Sequence, residues 1–259
     1  MMEPVMETSE AAPAAAVLVP GPPSLNVFQR TAAVFTRPAA AWVGLESRSR
    51  WWFPMLVTVL CGVALNLLLY DRAIVPMVTE KWEQAADNGQ MRAEQLDKME
   101  SFMRSPAGMA MTAGQTAFFL PVIYLAMALG VWFGVGFVLG TKLRYRHALE
   151  IVTWSSLILI PAQILGAGLA WAKESYKDIH TGWGILLPPA ETPSKLQAAL
   201  TAFLDALGPF AIWTLVVVIL GATALSGAPR KSVAWVMGGL YLALAVLMGA
   251  MAGLFTPAA

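Results

Sequence analysis

Five stretches of between 18 and 25 residues carry almost no charge, and they decide what this chain can fold into. Crossing about 30 Å of hydrocarbon takes roughly 20 apolar residues at about 1.5 Å of helix rise each. The stretches are Phe53–Tyr70, Thr116–Leu139, Ala148–Ala172, Leu204–Leu225 and Val233–Phe255. Lipid offers backbone N–H and C=O groups no partner, so each stretch must be a helix that satisfies its own backbone. The expected fold is all-α, a polytopic membrane protein with five transmembrane helices. Composition agrees: 58% of residues are hydrophobic and 13% charged, where soluble domains hold roughly 45–50% and about 25%. The net charge of +1 supplies no field to draw nucleic acid. One cysteine, Cys61, rules out an intramolecular disulfide.

Lys and Arg in the connections set the expected orientation. Arg30, Arg37, Arg48 and Arg50 precede the first span, Lys142, Arg144 and Arg146 join the second to the third, and Arg230 and Lys231 join the fourth to the fifth. These segments alternate with two longer connections, Asp71–Ala113 and Lys173–Thr201, in which acids match or outnumber bases. The N-terminus is therefore expected in the cytoplasm and the C-terminus outside. Trp51, Trp52 and Tyr70 flank the first span as interfacial anchors would.

Residues 1–24 are Ala-, Pro- and Glu-rich, lack the basic start of a signal peptide, and read as a disordered tail. Residues 25–50 follow as a cytoplasmic amphipathic segment. Phe28, Phe35 and Trp42 recur every seven residues, close to two helical turns, with Arg30 and Arg37 between them and Pro38 forced to kink or split the helix. Such a segment either lies on the membrane surface or packs against the bundle. The remainder, 51–259, is the five-span domain with a helical outer loop at 71–113. That loop reads as two short helices broken at Asp87-Asn88-Gly89, with Glu94 and Lys98 spaced as an i,i+4 pair.

Chemistry is sparse. Two acids lie near the spans, Glu150 and Asp205, each expected in the first turn of its helix, where the dipole favours a carboxylate. His147 and Glu150 are three residues apart, but two ligands do not make a zinc site, and His180 stands alone in the second outer loop. The remaining intramembrane polar candidates are Asn66, Thr153, Ser155 and Ser156. No histidine lies at the depth of these hydroxyls and no phosphate-cradling loop occurs, so neither an enzyme nor a cofactor is expected. Gly130–Gly134, Gly136–Gly140 and Gly249–Gly253 are GxxxG spacings, which serve packing within the chain or a homo-oligomer through the glycine-rich spans.

The sequence resembles the Yip family of Ypt/Rab-GTPase-interacting membrane proteins, in particular its prokaryotic branch. VFTRPAAAW leads into a first span that opens on an aromatic-proline step, and a long outer loop follows. A short basic turn then enters RHALEIVTWSSLILIP, and a tight GAPRKS loop joins the last two spans. The resemblance covers about Val27–Phe255 and is most specific over Tyr145–Pro161. It implies five spans with a cytoplasmic N-terminus, and for eukaryotic members a role in vesicle traffic with prenylated GTPases. Their Asp-Leu-Tyr-Gly-Pro motif does not occur in this N-terminal tail. The expectation is thus a non-enzymatic scaffold or adaptor in a cell (inner) membrane, or an internal membrane if the source is eukaryotic. Its expected partners are the bilayer and a membrane or cytoplasmic protein, met through Arg37, Trp42, Lys142, Arg144, Tyr145, Arg146, Arg230 and Lys231. The alternative is a carrier for a lipid-like or apolar substrate, suggested by the kinked spans and the Thr153/Ser155/Ser156 patch.

Overall fold

The computed structural model describes residues 25–45, 49–177, 179–188 and 194–256. The tail at 1–24, Arg48, and part of the second long connection lie outside the described residues. Within them every regular element is a helix: α1 (Val27–Thr36), α2 (Trp52–Leu69), α3 (Val75–Asp87), α4 (Ala93–Met103), α5 (Pro106–Val131), α6 (Tyr145–Ser156), α7 (Leu159–Lys173), α8 (Lys195–Ala206), α9 (Pro209–Ser226) and α10 (Arg230–Phe255). Five units among them are long and apolar enough to cross a membrane: Trp52–Asp87, Pro106–Val138, Tyr145–Lys173, Pro209–Ser226 and Arg230–Phe255.

Prolines mark the irregularities. A widened π turn at Tyr70–Ile74 joins α2 to α3 just ahead of Pro76, which cannot donate back along the helix. The third span breaks between α6 and α7 because Pro161 denies Leu157 its i+4 donor; Ile160 N–H supplies a tighter bond to the Leu157 carbonyl instead, at 3.1 Å. Gly208-Pro209 ends α8 and starts α9 afresh, as suits a residue with fixed φ and no N–H to lose at a helix start.

The third span is the axis of the bundle. Of its most apolar window 61% is buried inside the protein, against 17–28% for the other four. Ala148 through Ile158 are all buried, which is why this span alone can carry a glutamate and three hydroxyl residues in succession. Around it gather Val34, Trp42, Val131, Val135, Val217 and Val233 in one core. Arg50, the Lys142–Arg146 turn and the Ser226–Arg230 turn all sit at the same end of the bundle, here called the basic end; α3, α4 and α8 lie toward the other, the loop end.

Several expectations are corrected at the loop end. The fourth span begins at Pro209 rather than Leu204, because residues 195–206 form the separate helix α8. Asp205 therefore closes α8 instead of opening a span. Nor does His180 stand alone: its Nδ1 lies 2.7 Å from Asp205 Oδ2, and Gly184 N–H donates to Asp205 Oδ1 at 3.2 Å. Tyr70 is buried and donates to the Met103 carbonyl at 2.6 Å, so it ties α4 to the first span rather than anchoring in lipid. The Gly249–Gly253 spacing packs within the chain: a Cβ on either glycine would meet backbone of α8, the Ala199 and Lys195 carbonyls, at 2.8 Å. Gly134 likewise receives Leu240 and Val236 of the last span.

Candidate functional site

The segment ahead of the first span builds the most elaborate polar arrangement among the described residues. Asn26 starts α1 with a capping box, its Oδ1 accepting from Gln29 N–H at 2.8 Å while Gln29 Oε1 accepts from Asn26 N–H at 3.0 Å. Pro38 disfavours helical geometry for Arg37 before it, and α1 stops at Thr36. The chain then turns through a single 3₁₀ turn at Ala40–Trp42. Pro38 thus splits this segment, so Phe28 and Trp42 share no continuous helix face. Phe28 is exposed while Trp42 is buried against Gly221 of α9, a site where even a Cβ would fall 2.7 Å from the indole. Trp42 is accordingly not an accessible partner contact, and Val34, Trp42 and Leu45 of this segment pack against the bundle while Phe28 stays exposed.

Arg30 turns inward from α1. Its guanidinium donates to the carbonyls of Ala41 and Val43, the latter at 3.2 Å, and lies 5.7 Å over the ring of Trp154. The bonds to carbonyls close the turn around Trp42, and the ring face adds a cation–π contact. Burial pushes the Arg30 guanidinium below its ordinary range, and the nearby carboxylate of Glu150 works in the opposite sense.

Glu150 is the centre of this knot. It falls on the second turn of α6, not the first, because that helix starts at Tyr145, and its side chain is fully buried. One oxygen accepts from Ser49 Oγ and from Arg50 N–H at 2.6 Å; the other accepts from Trp154 Nε1–H at 3.0 Å. Three donors thus converge on one buried side chain, two on one oxygen and one on the other. Through Arg50 N–H it also satisfies a backbone group just ahead of the first span, which has no side-chain cap of its own. Glu150 is thus a clamp: it fastens residues 49–50 to the axial helix, and Arg30 and Trp154 extend the clamp to α1.

The other polar candidates divide. Thr153 and Ser156 bond back to carbonyls of their own helix, Leu149 and Thr153, both at 2.8 Å, and Ser155 Oγ is buried without a partner. These hydroxyls are locked among helices. His147 does not reach Glu150, and among the described residues no group of three or more His, Cys, Asp or Glu could hold a metal ion. Asn66 lies elsewhere, beside Gln163 in a cavity near the loop end. Arg37, Lys142, Arg144, Tyr145, Arg146, Arg230 and Lys231 are all exposed, and Tyr145 still donates to the Leu125 carbonyl at 3.0 Å. Arg30, Ser49 and Gly221 were not singled out as site residues from the sequence. One signal was available: Arg30 falls on the same face of α1 as Val27 and Val34, where an arginine needs buried acceptors.

A family model described as the Yip1 domain matches residues 32–252. The chain belongs to the Yip1 domain family. No curated protein and no solved structure matches it. The Yip1 domain takes in four spans whole and the fifth as far as Ala252, with Trp42, Glu150 and Gly221 inside its limits and Arg30 two residues ahead of them. It also takes in both exposed basic turns, so the clamp and the charged end belong to one family domain.

Proposed function

We propose that this Yip1 domain protein is a non-enzymatic membrane scaffold or adaptor that recruits a protein partner through its basic end, with that end facing the cytoplasm. The observation that carries this reading is the Glu150 clamp. A buried carboxylate with three donors, backed by an inward arginine, is spent on holding residues 27–50 against the bundle. A rigid platform results, on which Arg37, Lys142, Arg144, Arg146, Arg230 and Lys231 stand free.

Chemistry and charge support the same reading. Among the described residues the basic end exposes cations and no acid, whereas at the loop end Arg72, Lys98, Arg104 and Lys177 pair with Glu174, Glu94, Glu100 and Glu80. Excess Lys and Arg in short connections favours the cytoplasmic side, and anionic lipid there attracts basic groups at about 1 kcal/mol each. Lipid charge positions the platform and the protein partner reads it. The membrane is the inner membrane of a prokaryotic cell, or an internal one in a eukaryote.

Replacing Arg144, Arg146, Arg230 and Lys231 together by glutamine tests this. All four are exposed, so folding should be unchanged. Co-purification of the partner from crosslinked membranes, and association of the protein in nanodiscs with anionic vesicles, should both fall at least tenfold. Undiminished association by both measures would contradict the proposal.

A further inference from the structure

The second long connection reads in the sequence as an outer loop, yet the helices around it place it below the charged boundary of the loop end. Two of them serve as rulers. Glu174, at the end of α7, pairs with Arg72 at 2.9 Å and marks that boundary. Thr181 packs on α7 at Gly166, where a Cβ would meet its methyl at 3.4 Å. Gly166 precedes Glu174 by eight residues, about 12 Å back along the helix. Ile179 packs beside Leu65 and Ala167 at the same level. The second ruler is α10. α8 runs antiparallel along it, with the Lys195 and Ala199 carbonyls against Gly253 and Gly249 and the Ala206 carbonyl taking the Tyr241 hydroxyl. Gly249 lies nineteen residues past Arg230, about 28 Å, where a hydrocarbon layer of about 30 Å ends. Asp205 falls short of that level, between Tyr241 and Gly249.

The connection is fastened to Asp205. Residues Trp183–Leu186 form a 3₁₀ turn whose Gly184 N–H reaches Asp205 Oδ1, while His180 holds Oδ2. A Cβ on Gly184 would fall 2.5 Å from Asp205 Oδ1, and one on Gly208 would fall 2.7 Å from Gly182 Cα. Only glycine lets the two segments approach so closely. Leu187 N–H closes the turn onto the Gly184 carbonyl at 3.0 Å, and Gln197 Nε2–H covers the Pro188 carbonyl at 2.9 Å. Irregular backbone at membrane depth needs partners within the protein, and an ionisable residue there needs a partner of its own. The apolar side chains turn the other way. Ile185 and Leu186 are 67% and 72% exposed, and Trp183 is 44% exposed. Leu196 and Leu200 are exposed on α8, whose opposite face, Ala199 and Phe203, meets α10. Over the same levels α10 exposes Leu247 and Leu254, so this surface continues that of a membrane span.

We propose that residues 179–187 and α8 form a re-entrant hairpin, sunk into the leaflet at the loop end, whose partner is the acyl chains of that leaflet. Trp183, Ile185, Leu186, Leu196 and Leu200 contact lipid, and the His180–Asp205 pair holds the turn beneath the boundary. The hairpin is independent of the platform at the basic end.

Cysteine access tests it in the full chain carrying Cys61→Ala. Ile185→Cys and Leu186→Cys alter exposed side chains and leave the packing of the turn in place. In membranes opened to both faces, a polyethylene-glycol maleimide should label them at least tenfold more slowly than Gln90→Cys, in the exposed turn between α3 and α4. In sodium dodecyl sulfate the three rates should be equal. A nitroxide on either cysteine of the turn should meet dissolved oxygen more readily than a water-soluble nickel chelate, which separates burial in lipid from burial in protein. Labelling as fast as at Gln90→Cys, or a nitroxide closed to oxygen and chelate alike, would overturn the assignment.

Discussion

Glu150→Ala should destabilise the protein by about 3–5 kcal/mol, the cost typical of removing one member of a buried charged network. The loss has three parts. Arg50 N–H and Trp154 Nε1–H are left without their acceptor, Ser49 Oγ–H loses its own, and Arg30 loses the negative charge that offsets its burial. Glu150→Gln should cost less, because one oxygen still accepts, although its amide N–H₂ now meets a donor. An unfolding titration in mixed micelles followed by tryptophan fluorescence measures both, and Trp154 within the knot gives the signal a local reporter. Alanine and glutamine variants of equal stability, both near that of the unaltered chain, would mean that the clamp holds nothing.

Gly221→Val should act on the same segment from the opposite side. Three atoms of the Trp42 indole lie within 2.7–2.9 Å of where a Cβ would stand. A rigid ring cannot yield as the end of a flexible chain would, so Trp42 must leave its site. Overpacking of this kind costs about 3 kcal/mol, at the upper end of the usual range. The more specific consequence is local: with Trp42 displaced, the turn closed by Arg30 opens and residues 25–45 come off the bundle. Tryptic cleavage after Arg30, which is buried in the closed turn and followed by Thr31, should then speed up at least tenfold while the spans remain protected. Cleavage at an unchanged rate would show that the segment is held by something other than this contact.

The spans were legible because lipid leaves the backbone one solution, and a run such as Val233–Phe255 has no other use. What escaped were the positions where tertiary partners override local cues. Leu204–Leu225 looked like one span because its apolar run is continuous; only Gly208-Pro209 marked the break, and a proline inside a membrane helix is ordinarily tolerated. Asp205 and His180 are 25 residues apart, and no local pattern predicts that a returning loop will bring them together. Glu150 was visible as an acid near a helix start, but its donors come from residues 49 and 50, a hundred positions earlier. Trp42 read as an exposed contact because aromatic spacing gives a face but not which side of it meets protein. The glycine at 221 that receives it has no signature of its own. Asn66 and Gln163 are unremarkable singly; their shared cavity exists only once three spans are packed.

The central claim is that the basic end is a fixed platform for a protein partner. The most direct measurement places a photo-crosslinking residue at Arg146, on the exposed turn beside α6, in the full chain in native membranes. A discrete, repeatable protein adduct, lost on neutralising Arg230 and Lys231 and on freeing the segment with Gly221→Val, is the result expected. Adducts to lipid alone, or only to another copy of the chain, would contradict it.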